Sequence, residues 1–394
     1  MYFYINSKGA IHLLKKAIIL GSIFFFVACI LCSSVGIGYL SCINSKTWDG
    51  TILYVGGDGS NNFTTIQEAL FYAHHGDTVF VYDESSPYYE HVLIDKSVHL
   101  IGENKTTTII DGENTGDVIV LSADNVSLHG FTIQNSGDAP KADAGIESQS
   151  KGCIISGNRI IQNGRYAIGI FLNGSSESLI TGNFISENGN EGIFLQRATD
   201  CIIQGNEFTQ NGHCAIVVSM SSNTTIVQNT IENNYAGISI WPGSLGTEIS
   251  WNLIKDQEYS GVGLWSGADS NHVHHNYFSN NSLYGCIITR AHHNVIAHNT
   301  ILGSNEGVYL DMANMTVIQC NNFIENNYSA FFKNSSFNRW KQNYWDGHQG
   351  RWPKCIWGVM RIPWNKSIIV RWVNFDWFPS RTPYEIPLLR GEKE

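Results

Sequence analysis

IISGNRI (154–160), LITGNFI (179–185), IIQGNEF (202–208) and TIVQNTI (225–231) are four passes of one motif. It continues through EISWNLI (248–254), HVHHNYF (272–278), VIAHNTI (295–301), VIQCNNF (317–323) and RWKQNYW (339–345). The shared residues are Asn158, Asn183, Asn206, Asn229, Asn252, Asn276, Asn299, Asn321 and Asn343, spaced 25, 23, 23, 23, 24, 23, 22 and 22 apart. An apolar residue stands three positions before each asparagine and another two positions after it. A second asparagine follows at Asn163, Asn188, Asn211, Asn234, Asn281 and Asn326, and then a further short strand such as AGISI or EGVYL.

A period near 23 with several alternating strands per pass excludes helical repeats and lacks the leucine ladder of leucine-rich repeats. It predicts an all-β fold, a right-handed parallel β-helix whose inward apolar residues pile into columns. Asn at a fixed phase suits this geometry for two reasons. It tolerates the left-handed backbone of a tight turn. Stacked ~4.8 Å from the next coil, its amide donates to one neighbour and accepts from the other, so no buried amide is left unpaired at a cost of ~1–3 kcal/mol. These asparagines are read as builders of the fold, not as a reactive site.

Working outward, the repeats occupy 125–345, about ten coils, with an N-terminal cap and first coils at 51–124. Within that cap Ile66, Ala69, Leu70 and Ala73 recur at helical spacing, predicting a short helix over 65–75 that covers the open end of the sheet. Residues 346–394 form the expected C-terminal cap and tail. Trp345, Trp352, Trp357, Trp364, Trp372 and Trp377 are expected to plug the last coil, the alternative being an exposed sugar platform.

The basic stretch 1–16 carries Lys8, Lys15 and Lys16, and Ala17 to Leu40 runs without a charge. Twenty-four residues make about 36 Å of helix, enough for a hydrocarbon core of ~30 Å. The segment 17–42 is therefore read as a signal anchor or a cleaved signal peptide, with a lipoprotein signal at Cys29 or Cys42 as a third form. All three send the remainder out of the cytoplasm, to a membrane-anchored or secreted location. A net charge of −10 argues against nucleic acid, which needs a basic stripe. The cysteines form no CxxC pair after the leader, so no zinc knuckle is indicated.

The stretches TTIQEALFYAHHGDTVFVY, VHLIGENKTTTIIDG and VSLHGFTIQNSG, the x-I-x-G-N-x-I repeats, and the closing NYWDG and WVNFDWFPSRTPYEI resemble the NosD-like β-helix-repeat proteins of the pectin-lyase-type superfamily, especially exported archaeal forms. The resemblance covers about 51–388. It implies the β-helix fold and, from the member that gives the family its name, copper delivery.

In such a fold, function is sought in vertical rows. Aligning AGISIW, SGVGLW, GCIITR and GVYLD puts Trp241, Trp265, Arg290 and Asp311 at one phase on successive coils, below Asn173, Gln196 and Ser219. Two indole faces with flanking polar groups suit a glycan, and Arg290 with Asp311 could form the base–acid pair of a polysaccharide lyase or hydrolase. A second row precedes the ladder asparagines and includes His275, His298 and Cys320, with His272, His274, His292 and His293 nearby. Imidazole and thiolate suit copper or zinc. The paired aspartates of glycoside-cleaving β-helices are absent. The leading expectation is thus a surface protein binding glycans or envelope partners through its long face. A carbohydrate-active enzyme and a copper-binding protein are the alternatives.

Overall fold

Residues 50–139, 143–348, 352–362 and 365–386 are described in the computed structural model. The readings placed on 1–16 and 17–42 lie outside them. Among the described residues no helix is long and apolar enough to cross a membrane.

Every coil after the first contributes three short strands, stacked on their counterparts one coil away. Ile154–Ser156, Arg159–Ile161 and Ile168–Asn173 are one such set. In the first row Ile155 pairs with Ile180, and Ile180 with Ile203. In the second, Ile160 pairs with Ile185, and Ile185 with Phe208. In the third, Ile170 pairs with Ile193, and Ile193 with Ile216. The result is an all-β parallel solenoid of about 13 turns. That exceeds the ten expected because Ile52–Val55, Thr78–Val81 and His99–Gly102 stack in the first row without a ladder asparagine.

Strand periodicity decides what faces inward. Ile155, Ile180, Ile203, Ile226 and Ile249 are fully buried in one continuous core. At the corner after the first row the buried asparagines queue. Asn183 donates through its backbone N–H and Nδ2 to Oδ1 of Asn206, both at 3.0 Å. Asn206 does the same to Asn229 at 2.9 and 3.1 Å, and Asn229 to Asn252 at 2.9 Å twice. The column runs on through Asn276, Asn299 and Asn321 to Asn343. At the next corner Asn163, Asn188, Asn211 and Asn234 form a second column, which Gln257 continues by accepting from Asn234 at 3.3 Å.

The left-handed residue at the first corner is not the asparagine, as expected from its tolerance, but the residue before it. Gly157, Gly182 and Gly205 have φ between 60° and 63°, and Gln228, Trp251, His275, His298 and Cys320 between 53° and 57°. The asparagine is fixed by its column, so the turn is made one position earlier.

The helix α1, Ile66–Tyr72, starts at Thr65, whose hydroxyl accepts from the Glu68 N–H. Its first N–H groups donate to the Glu90 carboxylate at 2.9 Å each, an anion at a helix N-terminus. Ile66, Ala69 and Leu70 join the core.

At the other end Trp345 is buried and stacks on Phe323 at 4.4 Å, with Trp340 beside it at 5.9 Å. The expected aromatic plug goes no further. Trp352, Trp357, Trp372 and Trp377 are 55–78% exposed, and Trp364 lies outside the described residues. The strands Lys354–Ile362 and Asn365–Asp376 pair instead as an antiparallel hairpin.

Candidate functional site: an aromatic groove on the third row

Third-row strands are the longest in the coils, up to six residues, and so present the broadest outer face. Its central outward column is in register as Phe171, Phe194, Val217, Ser239, Gly263, Ile287, Tyr309 and Phe331. Bulky residues stand at both ends and small ones, Ser239 and Gly263, in the middle. A trough of about 440 Å³ opens beside Ser239, with Ala236 in its lining.

One wall is a stack of rings from the corners leading into the third row. His213 lies on Tyr235 at 5.6 Å and 15°, and Tyr235 on Tyr259 at 5.6 Å and 11°. The other wall is Trp241, Pro242 and Trp265. Trp241 packs against an outer apolar cluster that includes Phe171, Phe194 and Val217, meeting Phe194 edge-on at 5.8 Å. Trp265 lies down across the strand because residue 263 has no side chain. A Cβ there would sit 2.7 Å from the Trp265 Nε1. In that position the indole approaches Tyr259, at 6.4 Å and 26°, and closes one end of the trough.

Charge is confined to the opposite end. Glu191 and Cys214 are buried, and His213 Nδ1 meets Glu191 Oε1 at 3.2 Å. Cys214 donates to the Ser239 hydroxyl at 3.3 Å. Hydrogen bonding to Cys214 and then to Glu191 pushes the His213 imidazole up to about 10, outweighing its burial. At neutral pH the trough therefore holds one imidazolium already neutralised by a carboxylate.

Trp241 and Trp265 follow one another in the expected row, since Ile240 pairs with Leu264. Arg290 does not. Trp265 pairs with Thr289, and Thr289 with Asp311. Arg290 falls one residue later, exposed in the turn with φ 52°. Asp311 instead meets Lys333 at 3.4 Å. The Arg290–Asp311 acid–base pair is not formed. His213, Tyr235 and Tyr259 escape the sequence reading because they sit outside the alternating strand pattern. Their signal was an aromatic ring six or seven residues beyond Asn206, Asn229 and Asn252.

The histidine row is assembled differently from a metal centre. His275 and His298 stack face to face at 5.0 Å and 10°, and Trp251 covers His275 at 4.6 Å and 19°. Parallel rings one coil apart aim their nitrogen lone pairs alongside each other, not at a shared point. His274 and His275 contact through their Nδ1 atoms at 2.8 Å, and His274 Nε2 faces Glu248 at 3.2 Å. Burial lowers His272, His274 and His275, with His274 brought to about 4. Cys320, at the same turn position as the two histidines, does not join them in a ligand set. Among the described residues no group of three or more His, Cys, Asp or Glu side chains is placed to hold a metal ion. The row does not fit copper.

The chain is similar in fold to the A-module of an Azotobacter vinelandii mannuronan C-5 epimerase, with a TM-score of 0.53 and 14% identity over 70% of this chain and 87% of that one. A structure of XylC with xylose superposes with a TM-score of 0.49 and 12% identity, over 83% and 73% of the two chains. A periplasmic alginate epimerase gives 0.44 and 13%, over 65% and 60%. At these identities the likeness is one of fold alone. No curated protein sequence matches. Residues 72–284 and 244–350, more than half of the chain, match the family described as "Periplasmic copper-binding protein (NosD)". The chain belongs to the NosD family.

Proposed function

We propose that this chain is a saccharide-binding protein working outside the cytoplasm, which takes a neutral glycan of the cell envelope into the third-row trough. One observation carries the reading: a floor of small residues, Ala236 and Ser239, bordered by aromatic walls, one of which is the Trp265 indole lying over Gly263. Sugar rings present flat C–H faces edged by hydroxyls. Indole and phenol rings bury the former, while phenol O–H and indole N–H groups serve the latter. Lysine and arginine are missing from the lining, and the His213 charge is matched by Glu191. Both features favour an uncharged chain over a polyuronate. The extracytoplasmic setting draws on the apolar stretch Ala17–Leu40 and on a family described as periplasmic.

Neutral and acidic oligosaccharides printed on one array provide the test. The expected result is binding to neutral glycans. Binding confined to acidic glycans, or to none, would sink the proposal.

A further inference from the structure

The terminal hairpin has no counterpart in the coils. Its first strand adds to the last third-row strand only through Phe332–Gly358 and Lys333–Val359, with Arg361 donating its N–H to Asn334 just beyond. From there to the turn the two strands pair only with each other. A two-stranded ribbon is marginal in water unless a face is covered. The face formed by Trp357, Val373, Val359, Arg371, Arg361 and Ile369 is instead turned outward, with Trp357 59% and Ile369 55% exposed. Trp377 and Phe378 follow at 62% and 78%. Soluble surfaces seldom gather so many large apolar groups.

Charge says what covers it. From 351 to 375 the sequence carries Arg351, Lys354, Arg361, Lys366 and Arg371 and no acid, in a chain of net charge −10. Exposed tryptophans interspersed with arginines are the chemistry of a lipid headgroup region, where indole sits at the interface and guanidinium meets phosphate. A second copy would bring an equally basic hairpin.

We propose that this hairpin docks on an anionic lipid bilayer surface, with Trp357, Ile369 and Val373 at the acyl boundary and Arg361 and Arg371 on lipid phosphates. The contact is distinct from any anchoring by Ala17–Leu40 and holds the solenoid by its C-terminal end.

The full chain, reconstituted into phosphatidylcholine vesicles with and without phosphatidylglycerol, tests this through quenching of tryptophan fluorescence by brominated acyl chains. Wild type should show a quenched component that requires phosphatidylglycerol and disappears in Trp357→Ser/Ile369→Ser. Arg361→Glu/Arg371→Glu, which leaves every tryptophan in place, should behave in phosphatidylglycerol as wild type does without it. Far-UV circular dichroism verifies that both variants keep the solenoid. Equal quenching in wild type and Trp357→Ser/Ile369→Ser, or quenching indifferent to phosphatidylglycerol, overturns the proposal. So does a dimer in sedimentation that the same substitutions dissolve, because the face would then belong to a second copy.

Discussion

Asn343 ends the asparagine column by donating to Asp376, through its backbone N–H at 2.8 Å and through Nδ2 at 3.1 Å to the same Oδ2. The Trp345 indole N–H donates to that oxygen at 3.2 Å, and the Gln342 N–H to Oδ1 at 3.0 Å. Each amide from Asn158 onward hands its hydrogen to the next, so the column has a donor end, as a helix N-terminus does. A buried carboxylate with four donors is the fitting stop.

Asp376→Asn is therefore not conservative. An amide keeps the shape but turns an NH2 toward one of four donors, and the expected loss is about 1–3 kcal/mol. Asp376→Ala strands all four and should cost more. Urea unfolding monitored by circular dichroism measures both. A neutral Asp376→Asn would contradict the polar column.

Gly263→Ala tests the trough without touching a ring. The added methyl meets the Trp265 indole at 2.7–2.8 Å, so the indole must lift off the strand and open the end it closes against Tyr259. Saccharide affinity should fall about tenfold or more while unfolding shifts by less than ~1 kcal/mol. Unchanged affinity would show that the Trp265 position is irrelevant to binding.

Acid should weaken the solenoid through its histidine row. His274 protonates near 6.5 when unfolded and near 4 when folded, because burial disfavours the cation, and His272 and His275 shift the same way. The unfolded chain thus takes up protons first as pH falls. The row's contribution to stability is complete above about pH 6.5 and drains away toward pH 4. His274→Gln should flatten the melting temperature across that window. A slope identical to wild type would refute the assignment.

Copper is the sharpest point of difference between this chain and its family's description. Stacked rings at 5.0 Å do not converge on one ion, so elemental analysis after copper loading and gel filtration should give the same copper content in wild type and His275→Ala/His298→Ala. Stoichiometric copper lost in that variant would reverse the conclusion drawn from ring geometry.

The coil period is legible because it is enforced chemically. A buried amide such as Asn206 requires a partner at one phase above and below, so the sequence repeats it. Third-row register is not enforced in that way. YGCIIT (284–289) aligns with SGVGLW (260–265), but Tyr284 replaces a serine, and a window opened at Gly285 slides everything by one. One residue is enough to move Arg290 from the face to the turn. The trough was half visible. Trp241 and Trp265 announce themselves, whereas Gly263 matters only through where its neighbour's indole lies. The tail misleads for a related reason: tryptophan signals a large apolar surface but not what covers it, and of its described tryptophans only Trp345 reaches the core.

The most direct test is calorimetric titration of the best neutral oligosaccharide into wild type, Trp241→Ala, Trp265→Ala and the double variant. Each single substitution should weaken binding about tenfold, the size expected when one aromatic anchor worth ~1.4 kcal/mol is lost, and the double variant should bind below detection. Equal affinity across all four proteins would place the ligand elsewhere and end the claim that this trough is the binding site.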